Sequence, residues 1–325
     1  RYDGSSRFVK KNRYSFFPSF SFGWRISEEQ FFAPVKSIIN ELKLRGSYGK
    51  AGNQAVNLYS YLATLSNFSY TFGGKSVPGY RQAALANQDL TWETTTQSDI
   101  GLDAQFFNNR LSLTVDYYYK KTTDILLTLP VPSTLGLNAS PQNAGRVDNR
   151  GWEFLLETKN TFGDFGFNGN INFNINNNKV VDLAGTGPYF YGGNETRYST
   201  REGYPIRAYW GYLTDGYFQS QEEIANYPNM RSGLAPGDVK FVDRNEDGKI
   251  TADDMTYLGN SFPKYTFGSN LNFTYKNFSL NLLFQGVTGY NARIGGAIVE
   301  MGIWGGFTHK LITDNYWTPD NRNAR

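Results

Sequence analysis

The chain has 325 residues, 32 of them basic and 29 acidic, with no cysteine, one histidine, 17% aromatic residues and only 39% hydrophobic ones. The lack of cysteine excludes disulfide scaffolds, thiolate zinc sites and cysteine nucleophiles, and the lone His309 leaves no room for a histidine-based triad or multi-histidine metal centre. No apolar run approaches the ~18 residues of a membrane-spanning helix, and the net charge of +3 is scattered without the basic stripe that nucleic-acid binding requires.

The first residues, Arg1-Tyr2-Asp3-Gly4, hold neither an initiator methionine nor the apolar core of a signal peptide, and they read as the interior of something longer, as does the end at Asn321–Arg325. From there period-two alternation recurs, which predicts strands with two different faces. Within Ser15–Arg25, Phe16, Phe20, Phe22 and Trp24 share one face. Ser27-Glu28-Glu29-Gln30 then resembles a helix N-cap with an acidic first turn and predicts a short helix within 27–40. Strands are predicted at Glu41–Gly49, Asn57–Phe72, Thr91–Phe107, Arg110–Leu127 and Val147–Asn160. Phe165–Ile175 alternates most clearly, with Phe167, Ile171, Phe173 and Ile175 set against Asn168, Asn170, Asn172 and Asn174. Tyr265–Lys276 and Phe278–Gly286 complete the set.

Soluble strands average about 5–6 residues, whereas ten or more at a tilt near ~40° span the apolar band of an outer-membrane barrel. Connections alternate too. Asn108-Asn109, Gly163-Asp164 and Lys276-Asn277 are tight turns, while 121–146, 177–207 and 218–237 are long and rich in Gly, Pro, Asn, Ser and Thr. Trp24, Trp92, Tyr117, Tyr118, Tyr119, Trp152 and Trp210 lie near predicted strand ends, where indoles and phenols suit the headgroup level; the other reading makes them core aromatics of a soluble sandwich. Tyr189, Phe190 and Tyr191, in a long loop, either stack on sugar faces or pack the loop itself.

One segment has metal-ligand spacing. Asp243 to Asp254 fits an EF-hand-type loop, with oxygen ligands at positions one, three and five (Asp243, Asn245, Asp247) and a turn glycine, Gly248. Lys249 offers its carbonyl, Thr251 or a water the next ligand, and Asp254 closes the loop where helical EF-hands use glutamate. The expected ion is Ca2+ or Mg2+, with a structural task, because no pair of amphipathic helices flanks the loop. An acidic turn without metal is the competing reading. Catalysis is not expected. Glu222 and Glu223 read as the first turn of a short helix, Glu153 and Glu157 as solvated wall residues, and Gly73-Gly74-Lys75-Ser76 lacks the first glycine of a P-loop, since position 69 is Ser69. His309 reads as a polar loop residue.

Several blocks together carry a family resemblance: Phe17-Pro18-Ser19 into Gly23-Trp24-Arg25-Ile26-Ser27-Glu28; Leu42–Gly49 with Gly52-Asn53-Gln54; Leu90-Thr91-Trp92-Glu93 into Asp99–Asp103; Asn149-Arg150-Gly151-Trp152-Glu153; Pro236–Asp243; and Gly259–Tyr265. In these blocks and their order the chain resembles the C-terminal barrel portion of SusC/RagA-type TonB-dependent outer-membrane transporters. The resemblance implies an all-β fold, about half of a large antiparallel transmembrane β-barrel of roughly 22 strands with long extracellular loops. On this reading residues 1–325 are one incomplete barrel domain of about ten to twelve strands, with the metal loop 243–254 inside an extracellular loop and the plug and last strands absent. It further implies a Gram-negative outer membrane with its lipid, a SusD-like surface lipoprotein as lid, TonB acting through a region outside these residues, and import of oligosaccharides or peptides driven by the proton-motive force. Two other readings remain at this stage: a secreted, calcium-stabilised β-rich glycan-binding module, and a passive porin.

Overall fold

Alternation of side chains along extended backbone places one set of residues on each side of a sheet, and here it does so over long distances. The computed structural model of the chain describes residues 1–129, 131–191, 198–228, 232–294 and 310–322; His309 lies outside them. Its main feature is an eight-stranded antiparallel sheet. In chain order the strands are β1 (Ser19–Arg25), β2 (Ile39–Asn53), β3 (Glu93–Phe106), β4 (Leu111–Thr123), β5 (Arg146–Phe162), β6 (Phe165–Asp182), β7 (Tyr265–Tyr275) and β8 (Phe278–Thr288). Each strand pairs with its chain neighbour, so the sheet is an open up-and-down meander from β1 at one edge to β8 at the other.

Strands β2 to β6 run 13 to 18 residues. At about 3.3 Å per residue and a tilt near 40°, some 14 residues cover roughly 35 Å along a membrane normal, enough for the apolar band with a margin at each end. The turns at one end are tight because their residues accept the left-handed region: Asn108 (φ 56°) and Asn109 (φ 61°) between β3 and β4, Gly163 (φ 58°) between β5 and β6, and Lys276 (φ 51°) between β7 and β8. The opposite ends carry the connections 54–92, 124–145 and 183–264.

The faces separate by chemistry. Phe22 and Trp24 on β1, Leu42 and Leu44 on β2, Ile100 and Leu102 on β3, Tyr117 on β4, Trp152 on β5 and Ile171, Phe173 and Ile175 on β6 share one side, and most of them are exposed. A sandwich would bury this face; here Ile100 is 63% exposed at mid-strand, a hydrophobic surface that only an apolar solvent suits.

The buried apolar cluster is small. Phe8, Phe17, Val56, Leu90 and Trp92 pack together at the long-connection end, with the Phe8 and Phe17 rings 5.3 and 5.4 Å from that of Trp92. Trp92 is therefore a core residue and not part of a girdle, because the segment preceding β3 folds back over the start of β1. Trp210, 9% exposed, lies in a small four-stranded sheet, and Tyr118 points to the polar side between Tyr117 and Tyr119, as strict alternation demands. Of the expected belt, Trp24, Tyr117, Tyr119 and Trp152 lie on the apolar face.

Three other expectations change. The segment after Ser27 forms two 3-10 turns, Ile26–Glu28 and Gln30–Val35, and not a capped α-helix: Glu29 is extended, Pro34 interrupts, and no side chain caps either turn. The Asn57–Phe72 strand shortens to Leu65–Phe72, which pairs only with Lys75–Gln82 around a Gly73-Gly74 turn (φ 53° and 77°), so it is a separate hairpin and no part of the wall. Among the described residues the wall has eight strands, where ten to twelve were expected for the chain. Ser220, by contrast, caps the helix Gln221–Ala225, its hydroxyl accepting from the Glu223 amide. Contacts divide the chain into one unit holding the large sheet and a second of residues 189–200, 207–262 and 289–325.

Replacing Trp92 by alanine in the full-length protein refolded into vesicles is expected to cost about 3–5 kcal/mol, read by urea unfolding. Trp152→Ala, which removes a ring from the lipid-facing side and leaves no internal cavity, should cost less than half as much; equal costs would contradict the core assignment of Trp92.

Candidate functional site: a polar wall and an acidic loop

The other face of the same strands is polar and hydrogen-bonded across the ladder. Arg45 on β2 stands opposite Gly101, and its guanidinium reaches both neighbouring carboxylates: Nε and Nη2 donate to Asp103 at 2.7 and 2.9 Å, and Nη2 to Asp116 at 3.0 Å. Gly101 makes this convergence possible, since a Cβ there would lie 2.8 Å from the Arg45 guanidinium. Ser47 and Gln97 donate to Asp99, both at 2.8 Å. Arg45, Ser47, Gln97, Asp99 and Asp116, together with Tyr118 and Glu153, line a concavity of about 670 Å³. On β6 the asparagine series continues sideways: Asn168 pairs with Asn272 and Asn170 with Asn270, and with Asn281 they border a second hollow of about 450 Å³. Amides both donate and accept, so such a wall offers hydrogen bonds to polar groups without selecting one charge. Glu153 and Glu157 lie on this solvated face, in separate hollows, as expected.

The acidic loop belongs to the second unit. Asp243 Oδ2 accepts from the Gly248 amide at 2.9 Å, where Gly248 takes a positive φ of 79°. Asn245 Oδ1 accepts from the Asp247 amide at 3.2 Å, and Asp247 accepts from the Lys249 amide at 2.9 Å and the Asn245 side chain at 3.0 Å. Asp243 Oδ1 is buried with no hydrogen-bond partner. Ile250 anchors the turn at 7% exposure. Asp254 is engaged by the backbone of the loop itself. Fully buried, it accepts from the Arg244 and Thr251 amides, both at 2.8 Å, and closes a capping box with Thr251 on the turn Ala252–Asp254. No cluster of three or more acidic or histidine side chains is assembled for a metal among the described residues.

Hydrogen bonds from Thr251, then from Arg244 and Asn245, hold the Asp254 carboxyl below its ordinary range against the opposing cost of burial. Nearby, the Gln219 amide and then Lys240 lower Glu223, while Glu223 and Asp215, each 2.9 Å away, raise Lys240. Sequence reading missed this triad and the Arg45 pair; for Arg45 a signal existed, since Arg45, Asp103 and Asp116 fall on one face once the tight Asn108-Asn109 turn fixes the register. In the loop sheet the Arg207 guanidinium lies 5.3 Å from the Tyr191 ring and 5.9 Å from that of Tyr198, which favours packing over sugar stacking for Tyr191; Phe190 stays half exposed.

Two outcomes are expected here. Asp254 has a lowered native pKa, so its contribution is complete above the ordinary aspartate range near ~4 and is lost as pH falls through the lower native value. Protection of the Arg244 and Thr251 amides, relative to the intrinsic exchange rate at each pH, should persist at pH 5 and fall only well below it, and Asp254→Ala should remove it from both at neutral pH; retained protection in that variant would contradict the clamp. Arg45→Met should cost about 1–3 kcal/mol by leaving two carboxylates unpaired, and adding Asp103→Asn and Asp116→Asn should recover most of it; an additive further loss would contradict the network.

Comparison with known proteins agrees with this geometry. The family model described as "TonB dependent receptor-like, beta-barrel" matches residues 1–296. TonB-dependent receptor P26 of Formosa agariphila is 38% identical over 331 aligned residues, covering 99% of this chain and 33% of that protein. TonB-dependent receptor SusC of Bacteroides thetaiotaomicron is 31% identical, covering 86% and 28%. Among solved structures, the RagAB peptide transporter matches with a TM-score of 0.76 at 26% identity, over 99% of this chain and 35% of that one. The chain thus spans about a third of the length of these relatives, and its open sheet is one part of a barrel wall. That family sets aside the secreted module: the apolar face meets outer-membrane lipid, the tight turns are periplasmic and the long connections extracellular. The chain belongs to the TonB-dependent receptor-like β-barrel family, is similar within it to SusC and to the RagAB transporter, and resides in the outer membrane of a Gram-negative bacterium.

Proposed function

We propose that the chain forms wall and extracellular loops of an importer that takes nutrient oligomers, glycans or peptides, across the outer membrane. The polar face of β2 to β7, with its two hollows of about 670 and 450 Å³, carries this reading: it gives a hydrated lining on the side away from lipid. On the same reading a SusD-like lipoprotein covers the extracellular mouth, as family membership suggests, and TonB supplies the energy through parts of the protein outside this chain. Active import is favoured over passive diffusion by the family alone. The chain's own residues bind, align and hydrate cargo; no catalytic role is assigned to any of them.

The acidic loop is proposed as a Ca2+ or Mg2+ site that stiffens an extracellular loop. Support comes from the unpartnered Asp243 Oδ1 and from the donor types beside it. Asp243, Asn245, Asp247 and the Lys249 carbonyl would hold the ion, while Thr251 and Asp254 hold the loop's shape.

Deleting the full-length gene should abolish growth on the oligomer it imports, and a strain lacking TonB should fail alike; growth that depends on the gene and not on TonB would leave a porin. For the ion, Asp243→Ala with Asp247→Ala should remove bound calcium from the purified transporter, read by elemental analysis after gel filtration. Unchanged stoichiometry would refute the site.

A further inference from the structure

The apolar face is not uniformly apolar. Across all eight strands it carries seven charged residues, Lys50, Lys121, Arg146, Asp148, Arg150, Lys179 and, opposite Arg146, Asp182, and every one lies at the extracellular end. Their register is direct. Lys50 stands opposite Thr96, Thr96 opposite Lys121, Lys121 opposite Asp148, and Asp148 opposite Lys179, one row across five strands. The next such row toward the periplasm holds Tyr48, Ser98, Tyr119 and Arg150, and the one after it Ile100, Tyr117, Trp152 and Ile175. At about 4.8 Å per strand, Lys50 and Lys179 stand roughly 19 Å apart.

Both carboxylates are already engaged: Asp182 accepts from the Ala184 amide at 2.9 Å. Arg146 donates to both oxygens of Asp148, at 2.8 and 2.7 Å, and the Tyr119 hydroxyl donates to it at 2.6 Å. Lys50, Lys121, Arg150 and Lys179 remain as four cations with no further carboxylate on that face, and Lys50, Arg150 and Lys179 are exposed. Charges on a lipid-facing strand are costly at mid-membrane and nearly free at the interface, so this row marks the headgroup level. Long basic side chains above an aromatic belt reach an anion whose hydrocarbon lies below them, and guanidinium matches phosphate in two-point geometry.

We propose that this row binds the phosphate-bearing headgroup of an outer-leaflet glycolipid, with the acyl chains lying against Ile100, Tyr117, Trp152 and Ile175. The site rests on the outer-membrane placement of the chain and is independent of what the protein transports.

The test uses the full-length transporter in detergent, with diphosphoryl lipid A, its dephosphorylated form and inorganic pyrophosphate as separate probes, read by native mass spectrometry. Diphosphoryl lipid A should bind, the dephosphorylated form at least tenfold more weakly, and pyrophosphate should neither bind nor compete at equal concentration. Neutralising Lys50, Lys121, Arg150 and Lys179 to glutamine should weaken lipid A binding on the order of 100-fold or more, about fivefold per cation. Because that variant could fail to fold, Arg150→Gln with Lys179→Gln is measured as well, expecting about 25-fold loss, with recovery in Arg150→Lys with Lys179→Arg. Lys159→Gln, on the polar face, should change nothing. Unchanged affinity in the folded double variant, equal binding of the dephosphorylated lipid, or tight binding of pyrophosphate alone would each overturn the proposal.

Discussion

In hydrocarbon no water is present to satisfy a backbone amide or carbonyl, so every such group must find its partner within the protein. That constraint explains the largest feature of this chain. Strands of up to 18 residues pair along nearly their full length, with irregularities confined to the ends: β2 shifts register between Ile39 and Glu41, and β5 between Arg146 and Val147. Once the ladder is fixed, side chains have only two directions available. One meets lipid and selects Phe, Ile, Leu and Trp; the other meets water and selects Asn, Ser, Asp and Arg.

Stability is therefore distributed differently from that of a soluble domain. The packed cluster around Trp92 is small, and the hydrophobic effect acts mostly between the outer face and lipid. Cross-strand side-chain pairs carry what a core would otherwise supply. On the polar side Arg45 binds Asp103 and Asp116 across three strands; on the apolar side the Tyr117 and Trp152 rings lie 4.9 Å apart. The same two-sidedness connects fold to function. A wall that is wet inside and greasy outside can line a route for polar cargo while residing in a membrane.

Much of the wall was legible because period-two alternation is a local signal. Phe167 to Ile175 against Asn168 to Asn174 fixed both faces of β6, and Asn108-Asn109 located a tight turn by its tolerance of positive φ. What was not legible depends on contacts distant in sequence. Trp92 has the composition of a girdle residue, and only the return of Phe8 and Phe17 makes it core. Asp254 has the spacing of a ligand, yet its burial beneath the Arg244 and Thr251 amides follows from how the loop folds back. The length of Leu65–Phe72 could be read, but nothing local says that it pairs with Lys75–Gln82 instead of joining the sheet. The row of cations on the outer face lay in plain sight, though it became a row only when the registers of five strands were known.

The central claim is the sidedness of the sheet, and the absence of cysteine in this chain makes it directly measurable. In the full-length protein carrying no other cysteine, single replacements at Asn168, Asn170, Asn172 and Asn174 should react with a small water-soluble maleimide in intact outer membranes. Replacements at Phe167, Ile171, Phe173 and Ile175 should resist it and instead be quenched, once labelled in detergent and returned to vesicles, by a lipid-bound quencher. Reactivity that fails to alternate along β6, or that alternates in the opposite phase, would contradict the account.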